Sequence, residues 1–316
     1  MSRGRGGYIG FNRVPAAAAI NSAASGVWSL REAEALKRAG TWPRVFEDPT
    51  SVSGLQLWLD ASDAGSLYDA TTGGSLVAAD GSVARWEDKS GNARHATQGT
   101  AGSRPARKTA IQGGRDVLRF DGSNDFMSVA SSTATFKFLH DGDSTVFLVL
   151  KAGTTANSGH ARYAILSNFS GASTATGIEI NHRDSNPSTE NDFFEVFLAK
   201  GSNGEWPIYS ANNNFFANNT FGVLSLVLDP ANATPGSRIA IRRNGGSLST
   251  TNSASGANQT PSSSNASNNL HLGVRGSDQS GNLNGDICEI ILYDAALSDT
   301  NRAAVETYLL AKWGIT

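Results

Sequence analysis

Clusters of carboxylates, amides and aromatic rings are the residues of this sequence whose types and spacing could do chemistry. Paired carboxylates come first. Asp286-x-x-Glu289 opens the apolar run to Tyr293, and simple alternation along a strand puts its two acids on opposite faces. Glycoside hydrolysis with retention needs two carboxyl groups about 5–5.5 Å apart, and Glu-x-Asp-x-Glu on a strand would set its acids on one face. That triplet does not occur. The chain is therefore not expected to be an enzyme, and no catalytic residue is assigned.

Metal binding is the next chemistry to test. The five histidines (His95, His140, His160, His182, His271) are scattered, without the short pairing that zinc or iron sites use. Calcium takes several carboxylate and carbonyl oxygens. Asp121, Asn124 and Asp125 offer them in one turn, and His140-Asp141-Gly-Asp143 does so in another. The same groups equally close turns on their own backbone, as do Asp60 and Asp63. Calcium is the one ion these residues suit, and no other cofactor is expected.

A pyranose offers an apolar face with a fringe of hydroxyls, so an aromatic ring beside Asn, Asp or Gly is a candidate glycan contact. Trp206 and Tyr209 in Gly201 to Tyr209, and Asn213 and Phe215 in Asn212 to Asn219, fit that description. Core packing or a subunit contact fits the same aromatics equally well. Gly4-Arg-Gly-Gly is not followed by a strand, turn and helix, so it is no phosphate loop.

The elements that position these residues are mostly strands. The chain has 316 residues, 34 of them Gly, with 17% charged residues and a net charge of −2. That charge draws it toward neither nucleic acid nor an anionic membrane. No run is long enough to span a bilayer. Cys288, the single cysteine, excludes an internal disulfide and reads as a small buried hydrophobe. The start lacks the apolar core of a secretory signal, which predicts synthesis and assembly in a cytoplasm.

Residues 1–50 carry seven basic residues against four acidic. Ser29 and Glu32 form a capping box that opens a helix, and Gly40 stops it. Tyr8, Phe11, Arg13, Trp28 and Trp42 make this segment a candidate anchor, because it cannot bury its apolar residues alone. Residues 51–316 form the main domain. Leu55 to Asp60, Trp86 to Asn92, Thr145 to Leu150, Tyr163 to Leu166, Gly177 to Asn181, Phe193 to Leu198, Gly222 to Leu228, Arg238 to Arg242 and Leu270 to Val274 read as strands. Val117 to Val129 reads as a hairpin, Asn244-Gly245 as a two-residue turn, and Ser249 to Asn269 as a long loop. Ile287 to Tyr293 suits a central strand. Ser298 caps a final helix whose stripe is Ala303, Val305, Tyr308, Leu309 and Trp313, with Gly314 as its stop. The expected class is an all-β, antiparallel two-sheet jelly-roll sandwich with a short N-terminal helix and a C-terminal helix.

Leu57-Trp58-Leu59-Asp60-Ala61, Trp86-x-Asp88-Lys-Ser-Gly-Asn92, Phe120-Asp-Gly-Ser-Asn-Asp125 and Gly285-Asp-Ile-Cys-Glu289-Ile-Ile-Leu-Tyr293 occur in that order. Together they resemble a laminin-G-like jelly-roll domain of the concanavalin A-like lectin/glucanase superfamily, from about Gly54 to the C-terminus. The resemblance implies two face-to-face sheets with Phe120 and Ile287–Tyr293 in the middle. Gly6-Gly-Tyr-Ile-Gly-Phe-Asn-Arg-Val-Pro15, Ala23-Ala-Ser-Gly-Val-Trp-Ser-Leu30 and Gly40-Thr-Trp-Pro43 are similar to the openings of some tailed-bacteriophage structural proteins. That similarity implies a virion component, a head decoration or tail-fibre protein, held to other virion proteins by residues 1–50 and commonly homo-oligomeric. The expected function is therefore non-enzymatic display of a lectin-like sandwich on a phage particle. The alternatives are a receptor-binding module for a host surface glycan, with or without calcium, and a polysaccharide hydrolase.

Overall fold

The structure, a computed structural model, describes residues 29–38, 46–153, 162–171, 175–183, 193–199, 208–211, 220–252 and 262–316. Strands are numbered in chain order. Alternating apolar residues build two antiparallel sheets. The first runs β15 (Gly246–Ser247), β14 (Ile239–Arg243), β13 (Gly222–Leu228), β8 (Ser144–Ala152), β18 (Asn284–Tyr293), β6 (Arg115–Asp121) and β5 (Ala106–Gln112). β1 (Leu55–Asp60) pairs with the second half of β18, beyond β6. The second sheet starts with β16 (Thr250–Asn252), β12 (Ile208–Ala211), β11 (Phe193–Leu198), β10 (Ile178–Arg183) and β9 (Arg162–Ser167). It continues through β17 (Leu270–Leu272), β7 (Met127–Val129), β4 (Ala96–Thr97), β3 (Arg85–Trp86) and β2 (Leu67–Tyr68). The expected two-sheet all-β sandwich is the fold found.

Its main core lies between the sheets, where Phe120, Leu148, Ile180, Val196, Leu272 and Ile290 interdigitate. β8 is apolar on both faces because it is covered twice. Val146, Leu148 and Leu150 face the second sheet, while Phe147 and Val149 join a separate cluster with Trp313. That outer cluster is roofed by helix α3 (Asp299–Trp313), the last of three α-helices among the described residues after α1 (Leu30–Arg38) and the short α2 (Phe138–Asp141). Ser298 caps α3 by accepting from the Asn301 amide, and Gly314 ends it at φ +60°. The buried stripe uses Ala304 rather than the expected Ala303, which is exposed. Burying the Arg302–Glu306 pair, 2.6 Å apart, turns the helix toward that side.

Three other expectations are corrected. Val117 to Val129 is no hairpin: β6 joins the first sheet and β7 the second. Gly122 to Asn124 turns the chain, but β6 pairs with β5 and β18, and β7 with β4 and β17. Asp286 and Glu289 do not lie on opposite faces. A register shift between Ile287 and Glu289 inserts a bulge, so both acids face the α3 side. Finally, Ser249 to Asn269 is not all loop, since Thr250–Asn252 forms β16.

The capping box that opens α1 is present, with the Ser29 amide donating to Glu32 at 2.9 Å and the Glu32 amide to Ser29 Oγ at 3.3 Å. Phe46 and Pro49, which lie in the segment assigned to the leader, pack on the sandwich. Phe46 meets Tyr308 edge-on at 5.6 Å, and Tyr293 donates to the Pro49 carbonyl at 2.8 Å. Tyr8, Phe11, Arg13, Trp28 and Trp42 lie outside the described residues.

Candidate functional site

The outer face of the second sheet carries a polar layer where strand alternation would allow a solvated one. In β10, Ile178 and Ile180 point into the core, so Glu179 and Asn181 stand on the opposite side. Gly177 sets the start of this strand. It sits at φ +92°, and a Cβ there would come 2.5 Å from the Asn168 carbonyl oxygen. Asn168 Oδ1 then accepts from the Ile178 amide at 2.9 Å. In β11, Glu195 is placed likewise between the core residues Phe194 and Val196.

Three arginines from separate parts of the chain meet these acids. Arg162 Nε lies 2.6 Å from Glu195 Oε2, and Arg183 Nη1 lies 2.9 Å from Glu195 Oε1. Arg275 donates to Glu179 Oε1 at 3.2 Å. Glu179 is 2% exposed, and its Oε2 has no hydrogen-bond partner. The buried Asn181 amide stands beside this carboxyl on the same face of β10 and favours its charged form. Burial pushes the Glu179 carboxyl above the usual glutamate range, against the pull of the Arg275 charge.

Phe169 and Phe197 complete the site, with ring centroids 6.2 Å apart, and the Arg162 guanidinium sits 5.1 Å from the Phe197 centroid. These residues line an open cavity of about 600 Å³ that also takes in Asn268, Ser277 and Asp278. Such a volume lies within the ordinary range of small-molecule sites, about 300–1,000 Å³. Paired charges, the Asn268 amide and the Ser277 hydroxyl beside apolar rings equip the cavity to bind a ligand rich in hydrogen-bonding groups.

A second acidic cluster sits on the other side of the molecule, under α3. Asp60 and Glu289 are cross-strand partners between β1 and β18. Lys312 Nζ bridges them, 2.9 Å from Asp60 and 2.7 Å from Glu289. Lys89 adds a contact at 2.9 Å to Asp60 and 3.0 Å to Asp63. The indoles of Trp58 and Trp313 each donate to Glu289 at 2.7 Å. Every oxygen of the pair is thus occupied by a donor from the chain itself. Asp286 is held in the same way by Arg119 at 2.6 Å and Lys151 at 2.9 Å. These acids fasten strands and helix together.

The acidic turns expected to suit calcium close on themselves. Asp121 Oδ1 accepts from the amides of Ser123 and Asn124 at 2.8 and 3.3 Å, and Asp125 Oδ2 accepts from the Asp121 amide at 3.0 Å. Asp141 pairs with Lys137 at 2.8 Å, while His140 Nε2 lies 3.0 Å from the Ser264 carbonyl oxygen. Among the described residues, no three His, Cys, Asp or Glu side chains gather to hold a metal ion. Burial and the neighbouring Asp121 charge raise the Asp125 carboxyl to about 6. An acid raised in the folded state binds protons more tightly there than when unfolded. Its contribution is therefore full below the ordinary value of about 3.9 and is lost as pH rises through about 6. Asp125→Asn is expected to flatten that part of the stability–pH curve, as read by thermal melts across the window.

Of the expected glycan contacts, Tyr209 lies in β12 at the register position of Val196. Trp206, Asn213 and Phe215 lie outside the described residues. Glu179, Asn181, Glu195 and Arg275 were missed from the sequence. The available signal was an acid or amide alternating with core residues in Ile178–Arg183 and Phe193–Leu198, at positions where surface strands usually vary.

No family model matches the chain, and no curated protein matches it. Among solved structures, the Botulinum neurotoxin serotype D binding domain aligns with a TM-score of 0.50 at 10% identity, over 83% of this chain and 54% of that one. Trypanosoma rangeli sialidase in complex with the inhibitor DANA gives 0.48 at 11%, over 81% and 33%. Ruminococcus gnavus IT-sialidase CBM40 bound to alpha2,3 sialyllactose gives 0.45 at 15%, over 63% and 98%. This chain thus spans about a third of the sialidase and about half of the toxin binding domain. At such identities the likeness is one of fold, an all-β sandwich.

Proposed function

We propose that this chain is a non-enzymatic carbohydrate-recognition domain whose glycan seat is the cavity on the outer face of the second sheet. One observation carries the reading. An open cavity of about 600 Å³ on this face brings Arg162, Glu179, Asn268, Arg275 and Ser277 together beside Phe169 and Phe197. Guanidinium and amide donors beside carboxyl and hydroxyl acceptors, with apolar rings at the wall, suit a ligand that carries several hydroxyls on an apolar ring. The non-enzymatic part rests on the pairing of the buried acids. Glu179, Glu195, Asp286, Glu289 and Asp60 each have a lysine or arginine partner, which opposes the uptake and release of protons that acid–base hydrolysis needs.

The test is binding of the full chain to a glycan array, with Phe197→Ala alongside. Binding to at least one glycan that falls about tenfold or more in Phe197→Ala is expected, because an aromatic contact contributes on that scale. Silence across the array, or turnover of a glycan that Glu179→Gln abolishes, overturns the proposal.

A second reading places this sandwich on a phage particle, joined to other virion proteins through residues 1–50. The capped helix Leu30–Arg38 within residues 1–50 favours it, as an ordered element that a segment joining another protein could present. Deleting residues 1–45 is expected to leave a folded domain that no longer joins particles. Normal incorporation of the truncated chain would count against this role.

A further inference from the structure

We infer that the cavity seats a sugar acid, its carboxylate taken by Arg162 and Arg275 and its hydroxyls by Asn268 and Ser277. This rests on the glycan reading above and names the class of glycan. Accessibility gives the first reason. Glu179 and Glu195 are 2% and 3% exposed, so these acids lie beneath the site and offer a ligand almost nothing. The side chains of Arg162 and Arg275 are 31% and 28% exposed. Arg162 spends its Nε on Glu195. Neither of its Nη groups hydrogen-bonds to a described residue, and neither is buried. Arg275 places Nε on Glu179 and Nη1 against Ser280 Oγ, which leaves Nη2 in the same condition. Both positive charges act on the Glu179 carboxyl, so they converge at one end of the cavity. Those free donors call for an acceptor with several lone pairs. A carboxylate brings two oxygens in one plane, which matches the guanidinium fork and makes charge-assisted bonds.

The second reason is that Arg162 can be spared by the fold. Glu195 is held by Arg183 as well, at 2.9 Å, so a ligand that engages Arg162 leaves this buried acid with a counter-charge. Arg162 and Arg183 also stand directly opposite each other across β9 and β10, and like charges so placed are unfavourable. An anion on Arg162 relieves that repulsion.

The rest of the lining favours a sugar over a bare anion. Asn268 Nδ2 donates to the Phe169 carbonyl at 2.9 Å, which fixes the amide, while its Oδ1 accepts from none of the described residues and is not buried. Ser277 is exposed beside it on the wall. An amide oxygen and a hydroxyl suit ligand hydroxyls, which both donate and accept. Asp278 is the exposed acid of the lining, at 55%. Its Oδ1 accepts from the Ser280 amide and hydroxyl at 3.0 and 2.7 Å, and its Oδ2 lies 3.8 Å from Arg275 Nη1. It therefore opposes an anion at the rim, and its removal is a test of the charge.

The experiment is titration of the full chain by calorimetry, at low and high salt. Carboxylated probes are oligogalacturonate, a hyaluronan oligosaccharide and sialyllactose. The methyl ester of oligogalacturonate keeps the rings and removes the charge, and a sulfated galacto-oligosaccharide offers a different anion. Arg162→Gln, Arg162→Lys and Asp278→Asn accompany the wild type. At least one carboxylated probe is expected to bind, to weaken in salt, and to lose about tenfold or more in Arg162→Gln. Arg162→Lys should recover part of that loss, since it restores the charge without the fork, and Asp278→Asn should tighten binding. Thermal melts of Arg162→Gln should stay close to wild type because Arg183 still holds Glu195. If that variant melts early, Arg162→Lys decides, and unchanged affinity there overturns the inference. An ester that binds as tightly as its acid, or carboxylated binding indifferent to Arg162→Gln, overturns it too. Tighter binding of the sulfated probe than of every carboxylated one would replace the carboxylate by sulfate. Failure of all the acids while neutral glycans bind on the array overturns the sugar-acid inference and leaves the glycan reading standing. Silence across the array as well sinks both.

Discussion

Lys312→Met is expected to destabilise the fold by about 3–5 kcal/mol, the usual result of removing one partner from a buried charge pair. For a domain of this size that lowers Tm by on the order of 10 °C, measurable by calorimetry. Lys312 Nζ is the group that separates Asp60 from Glu289, at 2.9 and 2.7 Å. Without it two buried carboxylates face each other across β1 and β18, with Lys89 left to hold Asp60 alone. The deficit should depend on pH in a defined direction. In the wild type, burial raises Asp60, but the Lys312 charge and the Ser62 hydrogen bond outweigh it and hold the acid below its usual value. Burial and the Asp60 charge push Glu289 upward. Asp60 thus stabilises above the ordinary carboxylate range, and that part is lost as pH falls through its lowered value. Glu289 works in the opposite sense, its part being lost as pH rises through its raised value. Removing Lys312 raises both acids, so the folded state of the variant gains protons and recovers stability on mild acidification. Glu289→Gln in the same background should restore part of the loss at neutral pH. A Lys312→Met variant as stable as wild type at neutral pH would show that the lysine does not hold this pair.

Phe120→Ala should cost about 3–5 kcal/mol, as for other fully buried phenylalanines, because Phe120 has no exposed surface. Gly273→Ala should be comparably harmful for a connected reason. Gly273 lies at φ +81°, and a Cβ there would stand 2.5 Å from Phe120 Cδ1. Part of that penalty is conformational, about 1–2 kcal/mol for an L-residue in the left-handed region. The rest is collision with the ring. Phe120→Ala combined with Gly273→Ala should therefore cost less than the two losses added together, since the smaller side chain removes the collision but not the backbone penalty. Urea denaturation of the four proteins measures the coupling. Strict additivity would mean that the ring does not occupy the notch over Gly273.

Much of the framework was legible because its signals are local. The Ser29–Glu32 box, the Ser298 cap, Gly314, the Asn244-Gly245 turn and the apolar run of β8 each depend on residues within a few positions of one another. Polar strands were not legible. β5 (Ala106–Gln112) lacks a buried face to impress a period on the sequence, and it exists because an edge of a sheet was available to pair with. The split of β6 and β7 between sheets was hidden for a related reason. A turn such as Gly122 to Asn124 fixes a change of direction, while β18 and β17, more than a hundred residues away, take one edge of β6 and of β7.

By itself the sequence determined a two-sheet all-β sandwich closed by a capped C-terminal helix, because alternation and capping are short-range consequences of burial and of unsatisfied backbone groups. Only the tertiary structure decided where the charges act. Arg162, Glu179, Glu195 and Arg275 become one polar layer, and Asp60, Glu289 and Lys312 another, through pairings of β10 with β9 and β11, of β17 with β9, and of β18 with β1. The bulge after Ile287 turned Asp286 and Glu289 to the same side. An ion pair or a ligand seat depends on distances in space, and chain proximity fixes those distances only within a single element.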